Sequence, residues 1–347
     1  MLATLSSTEI SDYDLPPGYT WRGATLADLA AVVAVTNAHS RQITGADELT
    51  ANTLQVDWTT PQLKLADDAR VVLTSCGQII GCGTVWGLFG PFARINVWLR
   101  VHPDHQQRGL EAALLQWAED RVRQVAVSRA ASETRICLTG YRNSLDTPGQ
   151  AAYKQAGFKI VRRMYRMQIE LDAAPPVPVW PSGCTLRAFV PGQADEAVLQ
   201  IYRESFQDHW GYVAVPYEED LKMFRHWMTD PIFDPTLWLL VMVEERLVGI
   251  SLNQAHLDED PNMGWVSTLG VLREYRHQGV ATAMLLHSFG QFYQRGQKRV
   301  GLGVDTQNLT GALRLYESVG MRVYRQTNVF EKELRPGVEL STQTLAA

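Results

Sequence analysis

The chain has 347 residues, 46% of them hydrophobic and 20% charged, a composition that is typical of folded globular proteins and excludes a disordered one. At about 150 residues per domain, the length favours two domains. A formal net charge of −5 argues against a nucleic-acid-binding surface. The apolar run Leu237–Val243 is too short to cross a bilayer, and the first residues lack the pattern of a secretory signal. We therefore expect a cytoplasmic protein.

The chain contains four cysteines: Cys76, Cys82, Cys137 and Cys184. They form no CxxC pair and no Cys–His pattern of a zinc site. The spacing predicts neither a disulfide framework nor a bound metal.

The first half begins with short apolar segments and then alternates strands with helices. The predicted strands are Val71–Thr74, Ile79–Val85, Ile95–Val101 and Arg135–Leu138. Gly109–Val122 is predicted to be a helix, because its apolar residues recur along one stripe that would pack on a sheet. A second helix is predicted around Tyr153.

Four prolines, at 175, 176, 178 and 181, interrupt the segment Leu171–Ser182 near the midpoint of the chain. Proline fixes its own φ and pushes the preceding residue toward an extended conformation. The segment is therefore predicted to be a semi-rigid linker between two domains.

The second half shows a similar order of elements. We predict strands at Cys184–Arg187, Leu237–Val243, Leu247–Gln254, Trp265–Val271 and Arg299–Val304, helices at Pro191–Phe206, Glu218–Met228, Gly279–Tyr293 and Gly311–Ser318, and a final pair of strands within Met321–Glu333. The second and third of these strands form a predicted hairpin. Hairpins followed by alternating strands and helices favour an α+β fold with a mixed central sheet.

Two blocks of the first half recur in the second half in the same order. Leu99–Leu115 matches Leu269–Leu285, which places Gly109 opposite Gly279 at an offset of 170 positions. Ala151–Tyr165 matches Leu313–Thr327, which pairs Tyr153 with Tyr316 at an offset of 163 positions. A duplicated domain explains both blocks, and we expect a first domain at 1–172, a linker at 173–182 and a second domain at 183–347.

A glycine-containing turn joins the strand Trp265–Val271 to the long helix that follows it. The first N–H groups of a helix have no partner within the helix, and together with the helix dipole they form an anion site. Gly279 lacks a Cβ, so the backbone can approach a ligand closely there. Such a turn alone is weak evidence for phosphate binding.

The fuller pattern, Arg276-His277-Gln278-Gly279-Val280-Ala281, resembles the acyl-CoA pyrophosphate loop of the GNAT (N-acetyltransferase) superfamily. The later segment Ala312–Met321 is similar to the last helix and strand of that superfamily. The resemblance covers both halves, and an altered first repeat before an intact second one resembles the arrangement of mycothiol synthases. It implies two tandem GNAT-like domains, each with a splayed mixed sheet flanked by helices, and acyl-CoA-dependent N-acyl transfer to a small-molecule amine.

The resemblance also implies the roles of several residues. The backbone N–H groups of Arg276, His277, Gln278, Gly279, Val280 and Ala281 would hold the pyrophosphate of acetyl-CoA or another acyl-CoA. Leu269 and Val271 would pair with the pantetheine arm, and N–H groups near Leu269 would stabilise the tetrahedral oxyanion. Asn308 lies one residue farther from Tyr316 than the usual cofactor-binding asparagine does.

Tyr316 would protonate the departing thiolate, because a phenol has an ordinary pKa of about 10. Its alternative is a tyrosine packed at a helix surface. The attacking amine must also lose a proton, yet Trp265 occupies the position of the glutamate of mycothiol synthases, and the strand contains no carboxylate. We take His256 as a candidate base because histidine titrates near neutrality.

A relayed water is an equally good alternative to His256. Other ionisable groups that remain candidates for the base are Glu204, Asp208, His209 and the Asp258–Asp260 turn.

The first repeat differs from the second within its loop. Glu111 stands where the second repeat has Ala281, and a carboxylate there would repel a pyrophosphate. Tyr153 is retained opposite Tyr316. We expect the first half to be structural or to shape the substrate site, and the alternative is a half that retains weak cofactor binding or a second active site.

The acceptor is expected to lie beneath the loop Gln207–Pro216, where Asp208, His209 and Trp210 are candidate contacts. Asn37–Arg41 is predicted to be the corresponding loop of the first half. A non-catalytic acyl-CoA-binding or regulatory module is the alternative function. A P-loop nucleotide enzyme is disfavoured, since no GxxxxGK[ST] motif occurs.

Overall fold

The computed structural model describes residues 15–308 and 311–344, in which helices and strands alternate. The first half contains β1 (Tyr19–Gly23), α1 (Leu29–Thr44), α2 (Ala51–Trp58), α3 (Leu65–Asp68), β2 (Ala69–Thr74), β3 (Ile79–Trp86), β4 (Arg94–Val101), α4 (Leu110–Val122), β5 (Ile136–Asn143), α5 (Thr147–Gln155) and β6 (Lys159–Glu170). The second half contains β7 (Cys184–Ala188), α6 (Asp195–Phe206), α7 (Tyr217–Trp227), β8 (Leu239–Val243), β9 (Arg246–Gln254), β10 (Met263–Val271), α8 (Val280–Gln294), β11 (Arg299–Asp305), α9 (Ala312–Ser318) and β12 (Arg322–Arg335).

The strands of both halves form one continuous mixed sheet, in the order β1-β2-β3-β4-β5-β12-β6-β11-β10-β9-β8-β7. The equivalent strands β6 and β12 are exchanged between the halves. β6, from the first half, pairs with β11, while β12, from the second half, pairs with β5. The two exchanged strands also pair with each other. The halves therefore share their central strands. The division into a first domain at 1–172, a linker at 173–182 and a second domain at 183–347 remains a proposal for the bounds of the duplicated units.

Two of the sequence predictions are wrong. Asn37–Arg41 is not a loop but lies inside α1, whose apolar residues pack on the sheet. Met321–Glu333 contains no strand pair, because β12 runs without a turn from Arg322 to Arg335. Its partners come from the first half of the chain, and local periodicity carries no information on pairing over that distance.

Helix α8 packs on β9 and β10 and fixes the sheet beside the predicted cofactor loop. Phe289 and Phe292 are fully buried there. A Cβ at Gly264 would lie 2.3 Å from Cδ1 of Phe292, so a glycine on β10 lets the helix approach the sheet. No helix in the described ranges has both the length and the apolarity needed to span a membrane.

Candidate functional site

Strands β10 and β11 separate partway along their length. They pair in parallel from Met263–Val266 with Arg299–Leu302. Beyond that point β10 keeps only β9 as a neighbour and β11 keeps only β6. A register shift between Val266 and Thr268 bends β10 where the strands part. The free edges of the two strands border a cleft that crosses the sheet.

Two adjoining cavities occupy this cleft. The loop cavity, of about 390 Å³, lies against Arg276, His277, Gly279 and Ala281. The second cavity, called the acceptor cavity below, has a volume of about 320 Å³ and lies against Arg94, Trp210, Ser267 and Asp305. Leu269, His209, Ala312 and Tyr316 line both cavities. If a thioester lay at this junction, its CoA arm would extend into the loop cavity and its acyl group would be directed toward the acceptor cavity.

The backbone of the predicted pyrophosphate loop turns through two residues with positive φ before α8 begins. Gly279 is the N-cap of α8 with φ 88°, and His277 has φ 61°. The N–H of Ala283 donates to the Gly279 carbonyl, so the preceding N–H groups of α8 have no intrahelical partner. Gly279, Ala281 and Thr282, which carry such N–H groups, line the loop cavity at the positive end of the helix dipole.

The side chains of two loop residues, Gln278 and Val280, do not line the loop cavity. Val280 is buried in the core, and the Gln278 amide donates to the Glu274 carbonyl at 2.8 Å.

The Arg276 side chain holds the loop in place. It donates to the carbonyls of Val271 and Ser205, each at 3.1 Å, and to the Asp208 carboxylate at 3.0 Å. Asp208 also accepts from Arg273. Burial opposes ionisation of Asp208, but the hydrogen bonds from the two arginines outweigh it and lower its pKa. Because both of its carboxylate oxygens accept hydrogen bonds from arginines of the loop region, Asp208 links the segment that follows α6 to the loop.

Tyr316, on α9, faces the junction of the two cavities. Burial raises its pKa to about 12, so the phenol stays protonated at neutral pH. Its ring packs beside Leu269 and Ala312, in an apolar cluster with Leu302 and Leu285. The side chain thus borders both cavities as a neutral phenol.

His209 is the ionisable side chain of the Gln207–Pro216 loop that reaches the same junction. Its ring stands edge-on to Phe206, with 4.3 Å between the ring centroids. Burial and the nearby Arg276 charge lower its pKa. A neutral imidazole is therefore present at pH 7, and it can accept a proton.

The other predicted site residues are spread more widely. His256 lines neither cavity, and its Nδ1 lies 3.2 Å from the Leu257 carbonyl oxygen. The Cζ atom of Arg166 lies 5.2 Å from the centre of the Trp265 ring. Asn308 lines the acceptor cavity, and its Oδ1 accepts from the Ala312 N–H at 3.4 Å. Trp210 also lines the acceptor cavity.

Sequence reasoning missed the contribution of the first half. Arg94, the first residue of β4, and Tyr141, near the carboxyl end of β5, line the acceptor cavity. So does Ser267, which lies on the bulge of β10. The amino-acid sequence contains no signal that Arg94 and Tyr141 belong to the site, because the exchange of β6 and β12 brings them there.

The corresponding cleft of the first half is filled by protein. Strands β4 and β5 also part, after Val97 pairs with Gly140. The Tyr153 hydroxyl lies 3.4 Å from the Val97 carbonyl oxygen, and a Cβ on Gly140 would be 2.3 Å from Cε1 of Tyr153. The tyrosine ring thus closes the gap between the strands.

Buried polar residues fill the remaining space near the first loop. His39 Nε2 lies 3.4 Å from an Asp146 carboxylate oxygen, and Arg142 pairs with the same carboxylate at 3.3 Å. Glu111 is 7% exposed, and burial raises its pKa. Among the described residues, these side chains occupy the space that corresponds to the loop cavity beside α8.

Comparisons with known proteins identify the class. The Acetyltransferase (GNAT) family matches residues 196–321, and an Acetyltransferase (GNAT) domain matches residues 66–160. A mycothiol acetyltransferase of Thermobispora bispora is 33% identical over 232 residues, which cover 64% of this chain and 70% of that protein. The chain therefore belongs to the GNAT family of acetyltransferases and carries two GNAT domains in tandem.

Solved structures agree with this assignment. A GCN5-related N-acetyltransferase from Sphaerobacter thermophilus has a TM-score of 0.77 and 31% identity, over 95% of this chain and 100% of that one. A tandem GNAT protein from the clavulanic acid biosynthesis pathway shares the fold, with a TM-score of 0.68 and 15% identity over 92% and 100% of the two chains. The protein is an N-acetyltransferase that uses an acyl-CoA and an amine. The family assignment favours this activity over a non-catalytic binding module.

Proposed function

We propose that the second half transfers an acetyl group from acetyl-CoA directly to a small-molecule amine, and that the first half does not bind CoA. The observation that carries the proposal is the open cleft between β10 and β11, which ends at the free N–H groups of α8. The diphosphate would lie on these groups. The pantetheine arm would follow the free edge of β10 past Val271 and Leu269, with its thioester between His209 and Tyr316.

In the proposed reaction the amine nitrogen forms a bond to the thioester carbon, and the carbonyl oxygen becomes an oxyanion. N–H groups on the free edge of β10 near Leu269 would stabilise that charge. Collapse of the intermediate breaks the bond between carbon and sulfur. Tyr316 donates to the departing sulfur, and the products are the N-acetylated amine and CoA.

The proton of the attacking amine needs an acceptor, and we place that role on His209 rather than on His256. His209 lies at the cavity junction and is kept neutral by its surroundings, whereas His256 faces neither cavity. Asp208 and Arg276 would act through positioning, because their charges are paired with each other. Trp210 and Asn308 would contact the acceptor side.

Thermal unfolding with and without acetyl-CoA tests the binding step. Ligand that binds the folded state at 100 times its Kd stabilises it by about 2.7 kcal/mol, so we expect a clear rise in Tm. Release of free CoA thiol on addition of a primary amine tests the transfer. No rise in Tm at millimolar acetyl-CoA would refute the proposal. A rise without turnover of any amine would refute the proposed transfer alone.

Several relatives are named mycothiol acetyltransferase, which makes an amine precursor of mycothiol one acceptor to test. Trp265 stands where the sequence comparison expected a glutamate. The acceptor of this chain is therefore to be identified by direct assay.

A further inference from the structure

Arg94, the first residue of β4, projects from the first half into the acceptor cavity. Its side chain is nine-tenths buried, with 10% of its surface exposed. Nη1 donates to the Glu331 carboxylate at 2.9 Å. Nη2 is buried and has no hydrogen-bond partner. A buried group of this kind is uncommon in folded proteins and calls for an occupant that accepts its hydrogens.

The surroundings hold the guanidinium in a fixed orientation. Its Cζ lies 4.1 Å from the centre of the Trp210 ring, and Arg162 lies 4.9 Å from the same ring. A Cβ on Gly211 would be 3.2 Å from Arg94 Nε, so the glycine leaves room for the guanidinium. Stacking on Trp210 and the bond to Glu331 therefore hold the guanidinium in place at the wall of the acceptor cavity.

The position of Arg94 relates it to the reaction. The same cavity contains Leu269, His209 and Tyr316 at its junction with the loop cavity. An acceptor whose amine reaches that junction would extend its other end toward Arg94. Guanidinium groups bind carboxylates through short charge-assisted hydrogen bonds, which are about twice as strong as neutral ones.

We infer that Arg94 binds a carboxylate of the acceptor, so that the preferred substrate of this enzyme is a small primary amine that carries a carboxylate away from its reacting nitrogen. The inference rests on the proposed function and adds the chemical class of the acceptor. It also assigns a specificity-determining residue to the first half of the chain, which supplies it through the shared sheet.

The test uses unbranched ω-amino acids of increasing length, each paired with its own primary amide. The amide has the same amine and the same chain but no negative charge. CoA release gives kcat and KM for each pair. We expect at least one acid to exceed its amide by tenfold or more in kcat/KM, and the best chain length will report the span from the junction to Arg94.

The Arg94→Met substitution keeps the bulk of the stem and removes the donors. A hydrogen bond to a charged group is worth an amount that corresponds to about 10- to 150-fold in affinity. We expect KM for the best acid to rise by about that factor, kcat to change little, and the ratio of acid to amide to fall to about one. Arg94→Lys, which keeps the charge, should retain part of the preference.

Arg135→Met is the matched control. Arg135 also bonds to Glu331, at 2.9 Å, but does not line the cavity. It should keep the preference for acids, whereas an equal loss in both variants would show that Arg94 acts only through Glu331 and would overturn the inference. Equal use of acids and amides by the unmodified enzyme, or no turnover of any acid, would also overturn it. The Tm rise with acetyl-CoA, measured on the same samples, shows whether the proposed cofactor site has failed as well.

Discussion

The loops that precede the equivalent helices have the same backbone in both halves, yet in the part of the chain that the structure describes the second half holds an open cleft and the first half a filled one. Gly109 and Gly279 have φ of 87° and 88° and begin the corresponding helices. Gln107 and His277, two residues earlier, have φ of 60° and 61°. The difference between the halves therefore does not lie in the loop backbone.

Side chains make the difference. Tyr153 lies across its own strand gap and is 1% exposed, whereas Tyr316 stands beside the gap and lines two cavities. A Cβ on Gly140 would overlap the Tyr153 ring, but a Cβ on Gly303 would meet its nearest neighbour at 4.0 Å. The comparison teaches that a retained motif does not establish a retained site, because buried neighbours can occupy the space that the motif frames.

The largest expected effect comes from giving the second loop the carboxylate of the first. In Ala281→Glu the new charge would face the diphosphate, and two unit charges about 4 Å apart repel by about 4 kcal/mol at an effective dielectric constant of about 20. That energy corresponds to about a thousandfold weaker binding of acetyl-CoA. Isothermal titration measures it directly.

Ala281→Gln is the control for size, and it should lose much less affinity than the glutamate variant. The reverse change, Glu111→Ala, should leave one acetyl-CoA bound per chain, because Tyr153 and Arg142 still fill the first cleft. A second equivalent of cofactor in either the unmodified chain or Glu111→Ala would contradict this account of the first half.

The two tyrosines provide the second test. Tyr316→Phe should lower kcat by about a hundredfold, at the lower end of the range for a lost proton donor, while the Tm rise with acetyl-CoA persists. Tyr153→Phe should leave kcat unchanged, because its hydroxyl faces Val97 rather than the open cleft. Similar kcat values for Tyr316→Phe and the unmodified enzyme would remove Tyr316 from the reaction.

The dependence on pH tests His209. Its pKa lies below the ordinary value of about 6.5, and the neutral form is the one that accepts a proton. Activity should therefore be full at pH 7 and fall as pH decreases through the lowered pKa. The assay uses an aromatic amine with a pKa below about 5 as the acceptor. Such an amine stays neutral over the pH range, so its own titration does not add to that of His209.

His209→Gln should lose this acidic limb and reduce kcat by about a hundredfold. An unchanged limb in the variant would assign the titration to another group. His256→Gln, which alters a histidine outside the cavities, should reproduce the unmodified profile.

The smallest expected effect concerns stability. Gly140→Ala places a Cβ against Tyr153, and overpacking of this kind costs about 1–3 kcal/mol, which lowers Tm by several degrees. Gly303→Ala should leave Tm unchanged, because its Cβ enters open space. Equal Tm values for the two variants would show that the first cleft is not tightly filled.

The sequence by itself determined the loop, the helices on either side of the sheet and the duplication. Gly279 requires a left-handed φ that other residues adopt at a cost, and α8 follows from apolar spacing along one face. Both are local properties, so they can be predicted from residues that are neighbours in the chain. The predicted hairpin at β8 and β9 belongs to the same category.

Only the tertiary structure decided which strands pair, which cleft is open and which residues face the acceptor. The exchange of β6 with β12 joins segments more than 150 positions apart, and backbone hydrogen bonding is almost independent of side-chain identity. Arg94 reaches the second site because of that exchange. Tyr153 and Tyr316 occupy equivalent positions in the repeat, and only the packing around each ring determines that one closes its cleft and the other faces an open cavity.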